Sequence, residues 1–99
     1  MKIRVGKKRY TVEAVEALRH ALQRGETDYR RQLIRVTTHA NGEPRTAEQQ
    51  HSTLWHELVH GMLEDMGSAK HRDETFVIGL SQRIIDVNKQ LEAYARGTT

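Results

Sequence analysis

The sequence predicts a small α+β domain, and three observations predict it. β-Branched and aromatic residues alternate on either side of Gly6-Lys7 and return between Gln32 and Thr38, which is the period of strands. The second half of the chain carries two long segments with apolar residues three and four apart, the period of helices. A length of 99 residues allows one domain, 1–99, and a hydrophobic fraction of 36%, modest even with the seven Gly added, allows only a small core. Together they point to a small antiparallel sheet packed on an active-site helix and a long C-terminal helix.

Taken in order, Ile3 to Val5 and Arg9 to Val12 read as a hairpin around Gly6-Lys7. From Ala14 to Arg24, Val15, Leu18 and Leu22 recur at helical spacing and Gly25 follows as a stop, so this segment reads as a helix. Gly25-Glu26-Thr27-Asp28 is a turn-rich set, Gln32 to Thr38 is a third strand, and His39 to Arg45, with Asn41-Gly42 and Pro44, is a connecting loop. Thr46-Ala47-Glu48-Gln49 has the form of a capping box, so a helix starts there and runs to about Met66, with Gly67 past its end. The last helix runs from about Ala69 to Tyr94 and places Phe76, Leu80, Ile84, Val87, Leu91 and Tyr94 on one side; the tail from Arg96 to Thr99 is expected to fray.

Composition removes whole classes of chemistry. With no Cys there are no disulfides, thiolate zinc sites, thiol nucleophiles or iron–sulfur clusters, so any metal must be held by His, Asp or Glu. No apolar run approaches a membrane span and no apolar stretch follows the charged N-terminus, which reads as a soluble, cytoplasmic protein. A net charge of +3 and a pI near 9.5 are mildly basic, and Lys7-Lys8-Arg9 and Arg30-Arg31 read as solvated faces more readily than as a nucleic-acid footprint.

His56-Glu57-Leu58-Val59-His60 matches H-E-x-x-H. Residues four apart share a helical face, so His56 and His60 can present their imidazoles to one ion. Glu57, beside them, can reach the open position of the metal and act on bound water. With six His and nine Glu, chance supplies roughly 0.03 such matches in a chain of this length. Context strengthens the match: at ~100° per residue Leu54, Leu58, Met62, Trp55, Met66, Val59 and Leu63 fill one arc, while His56, His60, Thr53, Glu64 and Glu57 form a separate polar stripe. The commonplace alternative, two half-exposed histidines beside an ordinary surface acid, leaves that register unexplained.

A catalytic zinc needs a third protein ligand, and the downstream candidates are Glu64, His71, Asp73 and Glu74. Glu64 would put three ligands in a row on one straight helix. Leu63 and Met66 stand where a metzincin would carry Gly and His, which excludes that class. From His60 to Met66 the helix rises about 9 Å, and the chain must return by a similar distance. A helix beginning at Ala69 or Lys70 returns much of that by Glu74, whereas one capped at Asp73 would fall short and favour His71 or no third ligand.

The stretches Gly25-Glu26-Thr27-Asp28-Tyr29, Ile34-Arg35-Val36, Thr53 through Gly61 and Asp73-Glu74-Thr75-Phe76-Val77 resemble small phage-encoded zinc metallopeptidases of the ImmA/IrrE-like kind, in the gluzincin division of the zincins. The resemblance implies a minimal zincin-like domain with Zn2+ held by His56, His60 and Glu74. It also implies Glu57 as catalytic base and a protein or peptide substrate, such as a repressor or other transcriptional regulator. The larger members' helix-turn-helix segment has no room here, and the oxyanion-stabilising group stays open among Tyr10, Tyr29, His39, His71 and Tyr94. The strand around Ile34 is expected to offer an edge to an extended substrate.

Two rivals stand beside this reading. One is a non-catalytic, zinc-stabilised interaction module; the other is a nucleic-acid-associated protease of the SprT-like kind using Lys7, Lys8, Arg9, Arg30 and Arg31. Trp55, Met62 and Met66 read as core, Asp28 and Tyr29 as turn and strand-start residues. Gly61, costly inside a helix, signals a close approach by the sheet or the last helix. Zinc joining the two helices is expected to support packing around Leu54, Leu58, Phe76 and Leu80.

Overall fold

The computed structural model describes residues 1–97; Thr98 and Thr99, the end of the tail expected to fray, lie outside the described residues. The chain folds as an α+β domain. Strands β1 (Lys2–Val5), β2 (Lys8–Val15), β3 (Gly25–Asp28) and β4 (Leu33–Thr37) form one sheet in the order β1-β2-β4-β3. Helix α1 (Ala47–Asp65) packs on this sheet, and α2 (Glu74–Ala95) packs on α1. No helix among the described residues is long and apolar enough to cross a membrane.

The sheet is mixed, not purely antiparallel as predicted. β1 and β2 form the expected hairpin, but β2 and β4 run parallel, with Thr11 opposite Leu33 and Val15 opposite Thr37. This pairing also overturns the predicted helix from Ala14 to Arg24. Val15 is drawn into the end of β2, Thr38 N–H donates to its carbonyl, and the chain then loops to β3. The loop leaves Leu22 83% exposed, so the three-residue apolar spacing had no surface to pack on. The turn-rich set Gly25–Asp28 is itself a strand, because pairing with β4 outweighs its weak propensity. β3 therefore occupies the edge next to α1, and β4, expected to offer that edge, lies inside the sheet. The loop from His39 to Arg45 contains a small hairpin, β5 (His39–Ala40) and β6 (Glu43–Pro44). Asn41 and Gly42 turn it with φ of 52° and 77°, the type I′ geometry of an Asn-Gly turn.

The helix boundaries follow the sequence closely. Thr46 Oγ1 accepts from Gln49 N–H while the Gln49 side chain accepts from Thr46 N–H, completing the capping box. At the other end Ser68 N–H donates to Leu63 and Gly67 N–H to Glu64, a Schellman turn for which Gly67 adopts φ 72°. The last helix differs at its start: Ala69–Arg72 form a 3₁₀ turn, and α2 begins at Glu74, capped by the Asp73 carboxylate accepting from Phe76 N–H.

The core has two parts, one on each side of α1. Val5, Tyr10, Ile34, Val36 and Leu58 are buried between sheet and helix, with Leu54, Trp55 and Met62 packed against them. Val59, Leu63 and Val77 are buried between the helices, with Leu80 and Ile84. Val77, not Phe76, faces α1, and Met66, expected in the core, is exposed beyond the end of α1. Lys89 reaches Glu48 in the first turn of α1, so farther along α2 Leu91 and Tyr94 have run past the neighbouring helix and are exposed. The two helices therefore pack through Val59, Leu63, Val77 and Leu80, and not through the expected set of Leu54, Leu58, Phe76 and Leu80.

Arg45 locks α1 to the sheet. Its guanidinium donates to the Thr37 carbonyl (2.8 Å) and hydroxyl (3.0 Å), the Gln49 carbonyl (3.2 Å) and the Thr53 hydroxyl (2.6 Å), joining the end of β4 to the first half of α1. In the last third of α1, Gly61 lies over the Tyr10 ring, the close approach its position signalled, yet an added Cβ would stand 3.4 Å from that ring, an ordinary contact. Gly61→Ala should therefore gain helix propensity of up to about 1 kcal/mol with little steric cost, read as a higher melting temperature.

Candidate metal centre

The polar stripe of α1 is not left to solvent. β3, the 3₁₀ turn and the start of α2 close over it and leave a cleft of about 870 Å³ at whose base His56, Glu57 and His60 lie. Glu57 and His60 are only 6% and 7% exposed. Each of the three presents a metal-ligating atom within 4.8 Å of the others, a group that could hold a metal ion.

The proton inventory of His60 decides what these atoms can do. Nδ1 lies 2.5 Å from the His71 carbonyl oxygen, an acceptor, so Nδ1 carries a proton and Nε2 is the nitrogen left to face the cleft, as a lone pair whenever the ring is neutral. That nitrogen faces His56 Nε2 at 3.2 Å and Glu74 Oε1 at 2.7 Å, and Glu74 Oε2 is 3.0 Å from His56 Nε2. Ligand atoms this close are held together by a proton or a metal ion shared among them. A tetrahedral ion with bonds of about 2.0–2.1 Å separates its ligand atoms by about 3.3 Å, close to the spacing found.

Glu57 is placed differently from Glu74. Its Oε2 is 4.0 Å from His56 Nε2, while Oε1 accepts from the Thr27 hydroxyl at 2.8 Å. Burial raises the affinity of this carboxylate for a proton above its usual value, although the Thr27 hydrogen bond and the two histidines oppose the rise; Glu74 adds to it. The result is a proton acceptor at the wall of the cleft, held by β3.

The other candidate ligands are engaged elsewhere. The His71 imidazole lies 2.7 Å from the Ser68 carbonyl through Nδ1 and accepts from Arg72 Nε. Asp73 caps α2, a hydrogen bond that holds its carboxyl below the usual range. Glu64 pairs with Lys8 at 2.8 Å. Glu74 reaches the histidines although its helix is capped at Asp73, contrary to the distance argument from the sequence. The reason is the 3₁₀ turn: at ~2.0 Å per residue, its four residues return the chain by about 8 Å before α2 begins.

Of the five candidate oxyanion groups, Tyr10 is sealed in the core, His39 bonds Thr38 at 2.7 Å on β5, and Tyr94 is exposed on the far end of α2. Tyr29 and His71 line the cleft, as does Arg72, which the sequence reading did not single out. Thr27 and Gly25 were also missed. A Cβ on Gly25 would lie 2.6 Å from Thr53 Cγ2 and 3.0 Å from Glu57 Cγ, so β3 reaches Glu57 only because this residue has no side chain. A Gly within a strand was the available signal of such an approach.

Comparison of the chain with known protein families, with curated proteins and with solved structures finds no match.

Gly25→Ala should act in the opposite direction to Gly61→Ala. Overpacking against Thr53 and Glu57 is expected to cost about 1–3 kcal/mol, read as a lower unfolding midpoint.

Proposed function

We propose that the protein is a zinc-dependent metallopeptidase. The observation that carries this reading is the convergence of His56, His60 and Glu74 on one point with the buried Glu57 carboxylate beside it and not in it. His56, His60 and Glu74 would hold the ion. Zinc bound there supplies a Lewis acid that polarises a peptide carbonyl and makes water a nucleophile at neutral pH.

The chain's own residues supply the rest. Glu57, pushed by burial toward a higher proton affinity, takes a proton from the attacking water and delivers it to the leaving amine. The Thr27 hydroxyl holds one carboxylate oxygen and leaves the other directed at the cleft. The β3 edge suits an extended substrate: the Arg24 carbonyl is bound to Thr37, so alternation along the strand turns the backbone groups of Gly25 and Thr27 outward. A peptide adding there as a further strand passes the metal site, and the resemblance extends the reading to a regulatory protein as substrate.

One observation favours the reading of a zinc-stabilised module without catalysis. The ligands lie on both helices, so zinc would staple α1 to α2 whatever Glu57 does. The nucleic-acid reading has less behind it, because Lys8, central to one of the two basic clusters, is paired with Glu64 at 2.8 Å.

Glu57→Gln separates catalysis from stapling. It should lower peptide hydrolysis by about 10²–10⁴-fold while zinc content and melting temperature hold; equal inertness of wild type and variant on all substrates supports the module instead. Glu74→Ala, by contrast, should sharply reduce zinc occupancy measured by elemental analysis, and full retention would remove Glu74 from the ligand set.

A further inference from the structure

Tyr29 stands where β3 turns back toward β4, outside the group of residues that would touch the metal. Its hydroxyl donates to the His71 carbonyl oxygen at 3.3 Å, and its ring meets the His71 imidazole edge-on, centroids 5.4 Å apart with planes at 83°. The same carbonyl oxygen accepts from His60 Nδ1. Two donors thus share one carbonyl, whose two lone pairs can serve both. Burial holds the Tyr29 phenol up at about 12, so it remains a donor through the neutral range.

The position of that carbonyl matters twice. It fixes the rotation of the His60 ring, and it belongs to the 3₁₀ turn whose last residue is followed by Asp73 and Glu74. The turn rests on α1 and α2; Tyr29 ties it to the sheet. Tyr29 is itself anchored, because the Lys8 ammonium that pairs with Glu64 on α1 also reaches the Tyr29 carbonyl at 3.5 Å.

We propose that Tyr29 is a positioning residue for the metal centre: through the His71 peptide it sets the orientation of His60 and the place from which Glu74 projects, and so sets metal affinity. This rests on the metal reading of the site but is independent of whether the site hydrolyses peptides. A shift of the His71 carbonyl would turn Nε2 of His60 away from the point it shares with His56 and Glu74, a loss that falls on binding before it falls on folding.

The test is zinc affinity of the full chain, measured by competition with a chromogenic chelator, together with the visible spectrum of the cobalt-loaded protein and the melting temperature of the metal-free form. Tyr29→Phe keeps the ring contact and removes the hydroxyl. It should weaken zinc binding by about 10-fold, the low end for outer partners of ligating histidines, and shift the cobalt bands, with the metal-free melting temperature held. Tyr29→Leu, losing the ring as well, should weaken binding further. Wild-type affinity in Tyr29→Phe overturns the proposal alone. So does a loss of affinity matched by a fall in metal-free stability, which marks Tyr29 as a packing residue only. Absence of zinc binding by the wild type overturns the metal reading together with it.

Discussion

The constraint on which the molecule turns is that α1 is covered on both sides while half of its circumference is polar. It packs on β1, β3 and β4 on one side and on the 3₁₀ turn and α2 on the other. Enclosing a carboxylate and an imidazole without partners costs several kcal/mol, comparable with the whole stability of a domain this size. Each polar group on the stripe has therefore drawn a specific partner from a different part of the chain. Glu57 takes Thr27 from β3, His60 takes the His71 carbonyl from the turn, and Glu64 takes Lys8 from β2. The surrounding elements are placed as much by these partners as by apolar packing.

This explains why some features could be read from the sequence and others could not. The capping box at Thr46, the Schellman end at Gly67 and the four-residue spacing of His56 and His60 depend on atoms within one or two turns, so the local pattern contains them. The parallel pairing of β2 with β4 joins Val15 to Thr37, and the strand at Gly25–Asp28 exists only as a neighbour of β4. Nothing near Gly25 in the sequence encodes that neighbour, and the helical spacing of Val15, Leu18 and Leu22 pointed the other way. The candidate metal site shows the same division: His56 and His60 follow from spacing, whereas the approach of Glu74 depends on a 3₁₀ turn that periodicity does not distinguish from helix.

Gly61 on α1 and Gly25 on β3 show how finely the contacts between helix and sheet are set. Tyr10 comes to within ordinary contact of the position a Cβ would take at Gly61, so there the helix backbone is approached but not invaded. At Gly25 the approach comes from the strand, and no side chain fits between its backbone and Glu57. The first is a matter of packing. The second fixes the distance between the edge strand β3 and a buried carboxylate.

The two cores would also respond differently to a bound cation. The cluster of Tyr10, Ile34, Val36 and Leu58 joins sheet to α1 with the help of Arg45 and contains no member of the metal stripe. The cluster of Val59, Leu63 and Val77 is smaller, and the candidate ligands straddle it, two on α1 and one at the start of α2. A cation bound there would restrain α2 at its N-terminal end, where Glu74 is the first helical residue, and would leave the far half, with Leu91 and Tyr94 already beyond α1, largely unaffected. Metal dependence should therefore reside in the docking of one helix end and not in the sheet, because the sheet's contacts with α1 close without any contribution from the ligands.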